Sequence, residues 1–246
     1  LVMNDQTGGG DFNNLWLMGS VAYHLSLDKK EKMYLSVGVQ GGYVSKRLDT
    51  NSQIFADQLD GSGNPTINTM ENFANTDVGG GDLRAGVVFS GYPSAKMNYK
   101  IGVSYMHLLQ TEEIFLDGST ENVLPARIAF FGQGEFMTKN PKFRIMPEIL
   151  FLNQASVNEI NVTSNFGYKV NPSFELIFGG GYRVSDAAIA NMGFEFKGVE
   201  FLASYDVNLS DLSTASQYQG GFEISLGYVG RILPKQKANL PCIRFY

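Results

Sequence analysis

Cysteine is nearly absent from this chain. Cys242 is the single one in 246 residues, which excludes an intramolecular disulfide framework and a cysteine-based zinc cluster. Histidine is scarce too, with only His24 and His107. Neither sits in an HExxH pattern, and no GxSxG nucleophile elbow occurs, so hydrolytic chemistry has little to stand on. His24 reads as a structural group on an inward face, and His107 as a strand-end residue facing headgroups or loop. No apolar run of about 18 residues exists, so no transmembrane helix is expected. A basic excess is missing as well: the formal charge is -5, leaving no stripe to neutralise phosphates and excluding nucleic acid as a partner. The eight prolines and 28 glycines exclude a collagen-like or Pro/Gly-rich disordered chain.

What the chain does contain is alternation. Phe222, Ile224, Leu226 and Tyr228 take one side of a stretch whose other side holds Glu223, Ser225 and Gly227. Side chains of a strand point alternately to opposite faces, so one face is apolar and aromatic, the other small or charged. The same pattern recurs in Val21, Tyr23 and Leu25 against Ala22 and His24, and in Val37, Val39 and Tyr43 against Gly38, Gln40 and Gly42. Phe174, Leu176, Phe178 and Tyr182 repeat it against Glu175, Gly179, Gly181 and Arg183. With the opening residues 1–6, about twelve strands result. Pro147 is the one proline deep in a strand; lacking an N–H, it marks a bulge or a misplaced strand.

The connections alternate between short (28–32, 92–96, 139–142, 170–173, 197–199) and mostly longer (47–81, 110–124, 153–158, 209–220). Short turns on one side and loops on the other, with an even strand count and aromatics near strand ends, predict an all-β transmembrane antiparallel β-barrel. Its lipid face needs only every second residue, which reconciles the slightly negative mean hydropathy with a membrane location. A soluble sandwich or barrel shares the period-two signal but not the need for aromatics near so many strand ends. The barrel is assigned to 1–233 and a periplasmic C-terminal tail to 234–246. The chain opens without a secretory signal, inside a strand, so a removed leader or a longer parent chain is expected.

On the inward face, Arg84, Lys100, Arg127, Arg144 and Arg183 alternate with Glu148, Glu175, Glu195 and Glu223, with Glu135, Glu200 and Asp206 alongside. Mixed signs at this density predict cross-strand ion pairs filling the interior, because charges withdrawn from water need partners. A selective pore would cluster one sign at a constriction. Asp57, Asp60 and Asp77 match no calcium loop, and Gly8-Gly9-Gly10 and Gly79-Gly80-Gly81 lack the GK[ST] of a phosphate loop. No metal, cofactor or small-molecule substrate is expected. The Asn161 and Asn208 sequons fall in strands and are read as chance.

Several strings resemble the PorP/SprF family: Asn4-Asp5-Gln6-Thr7-Gly8-Gly9, Phe55-Ala56-Asp57-Gln58-Leu59-Asp60, Tyr182-Arg183-Val184-Ser185-Asp186-Ala187 and Gly221-Phe222-Glu223-Ile224-Ser225-Leu226-Gly227-Tyr228. Tyr23-His24-Leu25, Tyr205-Asp206-Val207 and the tail Leu240-Pro241-Cys242-Ile243-Arg244-Phe245-Tyr246 fit the same order. The resemblance covers essentially the whole chain. It departs at the start, where the family carries a signal peptide and an Asn-Pro-Ala-rich segment with an additional hairpin; about fourteen strands are therefore expected in the intact barrel. The resemblance implies an outer-membrane component of the type IX secretion and gliding machinery of Bacteroidota. Such a protein holds partners: either the periplasmic ring and peptidoglycan-linked components, or the C-terminal domain of a secreted adhesin. Candidate contacts are Phe55, Asp57, Asp60, Glu112 and Glu113 in the outer loops, and Lys235, Lys237 and Arg244 in the tail, whose positive character suits an acidic partner. The rival reading is a diffusion channel or small-solute transporter. An enzyme comes third.

Overall fold

The computed structural model describes residues 1–7, 12–50, 54–60, 62–66, 69–70, 73, 75–115, 122–211, 213–215 and 217–228. Twelve antiparallel strands follow one another in a single sheet in chain order. They are β1 (Val2–Thr7), β2 (Phe12–Ser26), β3 (Met33–Leu48), β4 (Asp77–Ser94), β5 (Met97–Met106), β6 (Arg127–Met137), β7 (Phe143–Gln154), β8 (Val157–Asn171), β9 (Phe174–Arg183), β10 (Ala187–Phe196), β11 (Val199–Asn208) and β12 (Gln219–Tyr228). Among the described residues no helix is long and apolar enough to cross a membrane.

The alternation read from the sequence is the alternation of the fold. Val21, Tyr23, Val37, Phe178, Tyr182, Phe222 and Leu226 stand exposed on the outer surface, where a soluble protein would have to hide them. Tyr43, Tyr105, Tyr182 and Tyr205 sit toward the loop end of their strands and Tyr23, Tyr99, Tyr168 and Tyr228 toward the turn end, the two aromatic belts of a barrel in lipid. Cross-strand ring contacts knit this surface, with Phe166 stacked on Phe178 at 5.8 Å and Phe194 on Phe201 at 5.5 Å. Only strands that satisfy their backbone groups laterally tolerate such surroundings, since each unpaired group in hydrocarbon costs several kcal/mol. The far edges of β1 and β12 are not paired with one another, so the sheet is curved but open along one seam among the described residues.

Three features depart from expectation. β3 and β4 extend further than the alternation suggested, pairing Arg47 with Asp77 and carrying Gly79, Gly80 and Gly81 inside β4. The connection between β7 and β8 is no loop: Asn153 pairs with Asn158 and Gln154 with Val157, leaving Ala155 and Ser156 as a two-residue turn. Both have positive φ, 48° and 68°, the backbone that matches hairpin twist. The strict contrast of long and short ends therefore holds only for the connections after β3, β5 and β11, while β7–β8 and β9–β10 turn tightly. Pro147 is inside β7 as placed, opposite Ser164 of β8. The β6–β7 ladder skips two pairs beside it, between Gln133↔Glu148 and Phe136↔Ile145, with the register unchanged, so the missing donor is accommodated without a bulge or a displaced strand.

Candidate functional site: the charged interior

Inward-facing positions follow from the register. Row by row, Tyr34, Ser90, Lys100, Gln133, Glu148, Thr163, Gly181, Ile189 and Asp206 lie side by side across β3 to β11. A second row nearer the turns sets Lys169, Glu175, Glu195 and Glu200 next to one another. Three glutamates abreast repel, and Arg144 bridges two of them, Glu175 and Glu195. Its guanidinium bonds Glu135 at 3.0 Å and Glu195 at 3.3 Å, with a closer bond to Glu175. One side chain thus ties β6, β7, β9 and β10 across the concave face, which requires the sheet to curl tightly there. The path is cleared by Gly167, opposite Arg144 on β8: a Cβ at that position would collide with the Glu175 carboxylate and the Arg144 side chain. Asn98 supplies a further hydrogen bond to Glu135, at 3.0 Å.

At the loop end Arg183 plays the same part. It contacts Asp186 at 2.9 Å, Asp206 at 3.0 Å and Glu159 at 3.6 Å, joining β8, β9, β11 and the β9–β10 turn. Each arginine is matched with three carboxylates, the geometry in which a charged interior is retained at tolerable cost.

The opposite wall carries a different cluster. Asp82 of β4, only 3% exposed, accepts a bond from Arg84 at 2.8 Å and lies 3.2 Å from His107 Nδ1. The Arg84 guanidinium stacks 4.6 Å from the Trp16 ring centre, and Trp16 meets the His107 ring at 5.7 Å. His107 is therefore not at the headgroup surface, as the alternation alone suggested; it is buried, 3% exposed, and turned inward. The reason is local: its φ of 60° breaks the period at the end of β5 and re-aims the ring. The loop that follows folds the same way. Leu124 packs on Trp16, Met18 and Val44, and Glu113 pairs with Lys46 at 2.5 Å. Among the described residues, Glu113 and Leu124 of the β5–β6 connection thus turn onto the inner face at the loop end.

Of the nine interior charges expected to pair, Arg84, Arg144, Glu175, Arg183 and Glu195 do so. Arg127 bonds the neutral Gln154 at 2.8 Å. Lys100, Glu148 and Glu223 have no ion pair within 4.0 Å among the described residues. His24 bonds Ser36 at 2.7 Å on the inner face of β2. Among the candidate contacts, Phe55 packs on Phe73 at 5.4 Å. Asp57 accepts from the Met70 N–H at 2.6 Å and Asp60 from the Ser62 and Asn64 N–H groups at 2.8 and 2.9 Å. These carboxylates build the loop. The backbone N–H donors, that of Asn64 foremost, hold the Asp60 carboxyl below its ordinary value of 3.8. Glu112 is exposed beside its backbone bridge to Val123. Lys235, Lys237 and Arg244 lie outside the described residues. Sequence reasoning missed Trp16, Asp82, Lys46 and Glu159 as interior partners; their inward parity was readable, their neighbours were not.

A lipid-facing aromatic exterior around an interior bridged by arginine–carboxylate knots defines a transmembrane β-barrel built as a braced body. The family model described as type IX secretion system membrane protein PorP/SprF matches residues 1–228, and the chain belongs to that family. No curated protein matches it.

Proposed function

We propose that this barrel works in the outer membrane of a Bacteroidota cell as a docking or anchoring component of the type IX secretion and gliding machinery. It holds a protein partner and performs no chemistry. The observation that carries this reading is the bracing of the interior: Arg144 spans four strands, and Leu124 of the loop after β5 packs on the inward Trp16, Met18 and Val44 at the loop end. A solute pore would leave that path clear. A rigid barrel is instead a platform for its loops, where binding surfaces reside. The folded 54–66 loop with Phe55, and the exposed Glu112, are the outer contacts in this reading; Lys235, Lys237 and Arg244, following β12, would meet an acidic partner on the turn side. The partner is a secreted adhesin C-terminal domain or a periplasmic ring component.

Co-purification from native membranes followed by mass spectrometry tests this. Stoichiometric recovery of a secretion-machinery component or a secreted C-terminal domain supports docking. Recovery of the barrel alone, together with a steady conductance in planar bilayers, supports the channel reading instead.

A further inference from the structure

Below the Trp16–His107–Leu124 cluster, the inner face of β2 to β6 borders an open cavity of about 870 Å³. This volume is within the range of built ligand sites, roughly 300–1,000 Å³. Its lining is mixed: Tyr34, Tyr92, Met106 and Phe131 supply apolar surface, while Ser20, Gln40, Ser90, Ser104 and Gln133 also face it, and none of these five polar side chains has a hydrogen-bond partner among the described residues. Arg84 and Lys100 are the only Lys, Arg, Asp or Glu side chains on it. Arg84 is already engaged by Asp82 and Trp16.

Lys100 is not engaged. Its row neighbours are Ser90 and Gln133, its side chain is half-buried, and no carboxylate lies within 4.0 Å of it among the described residues. The two acids closest in register are spoken for or distant. Glu135, diagonal to Lys100, is held by Arg144 and Asn98. Glu148, on the same row, is two strands away, about 10 Å by strand spacing. A half-buried ammonium facing unpaired hydroxyls and amides is a site short of its anion, because a charge taken from water needs a partner.

We propose that this chamber binds a short acidic peptide segment entering from the turn side, with a carboxylate on Lys100 and backbone groups on the surrounding hydroxyls and amides. The choice of a peptide over a small anion rests on the docking reading above and on the spread of polar groups across β2 to β6, which one small ion would leave unfilled.

Fluorescence anisotropy of labelled hexaglutamate with the full chain in a neutral maltoside detergent tests it. Saturable binding is expected, absent for labelled hexalysine and weakened about tenfold or more by Lys100→Glu. Gln133→Ala, which leaves every charge in place, should weaken it severalfold and guards against a misfolded Lys100 variant; far-UV circular dichroism checks both. Equal hexaglutamate affinity in wild type and folded Lys100→Glu would overturn the site. Displacement of the peptide by inorganic phosphate at matched carboxylate-equivalent concentration would overturn the peptide assignment. Failure to recover a partner from membranes while hexaglutamate still binds would sink the docking reading and leave the chamber standing.

Discussion

The two walls of the interior are built to opposite charge plans. On β2 to β6 the inward positions hold four cations (Lys46, Arg84, Lys100, Arg127) against two carboxylates (Asp82, Glu135). On β7 to β12 three cations (Arg144, Lys169, Arg183) meet seven carboxylates (Glu148, Glu159, Glu175, Glu195, Glu200, Asp206, Glu223). The acidic wall is knotted, with two arginines tied to three carboxylates each, and its strands up to β11 are joined by tight turns. The basic wall is looser: it keeps an open chamber with several unpaired polar side chains and carries the two longest connections. Surplus acid on one side draws the arginines into multivalent bridges. Surplus base on the other leaves a lysine without a counter-ion. Bracing and binding thus fall to different halves of one sheet.

That division breaks most visibly at Arg144. Arg144→Met leaves Glu135, Glu175 and Glu195 facing one another with no guanidinium, and removal of one partner from a desolvated pair costs about 3–5 kcal/mol. The Glu135 and Glu195 side chains are 31% and 40% exposed, so a value near ~3 kcal/mol is expected after solvent screening. A lowered urea midpoint in detergent would report it. On the basic wall, Arg84→Met should cost less, about 2 kcal/mol, since Asp82 keeps His107 while the cation–π contact is lost. Trp16 is the only tryptophan, so the same variant should shift the intrinsic emission. An unchanged spectrum would contradict the stacked arrangement.

A smaller effect sharpens the claim that Gly167 exists to pass the arginine. Gly167→Ala puts a Cβ against the Arg144 and Glu175 side chains and should cost ~1–2 kcal/mol by overpacking. Gly221→Ala on β12, whose Cβ would meet nothing within 4 Å, should be close to neutral. Equal effects at the two sites would remove the argument.

The least costly prediction concerns the outer loop. The Asp60 carboxyl is held below 3.8 by the Asn64 and Ser62 N–H groups. Its contribution is therefore complete above that value and lost as pH falls through the lower, folded value. Limited proteolysis should show the 54–66 loop becoming more susceptible in Asp60→Ala at neutral pH, and in the wild type only under strong acid. Acceleration in the wild type already between pH 6 and 5 would contradict the sign.

Alternation alone placed the strands, their faces and the aromatic belts, because a period of two survives without knowledge of neighbours. Register did not come with it. Arg144 reaches Glu195 three strands away, which depends on curvature that no local pattern encodes. His107 was misplaced since a left-handed backbone at a strand end cancels the parity rule. Ala155-Ser156 looked like part of a loop because neither residue announces the positive φ it adopts. That Asp60 caps the N–H groups of Ser62 and Asn64 is chemistry an aspartate two and four residues ahead makes legible; which partner the loop meets is not written in that pattern.

Single-channel recording in planar bilayers addresses the braced interior most directly. With Arg144 in place and the β5–β6 loop against Trp16, no large, steady open state should appear. A long-lived ohmic conductance of porin size from the folded wild-type barrel would contradict a scaffold and restore the channel.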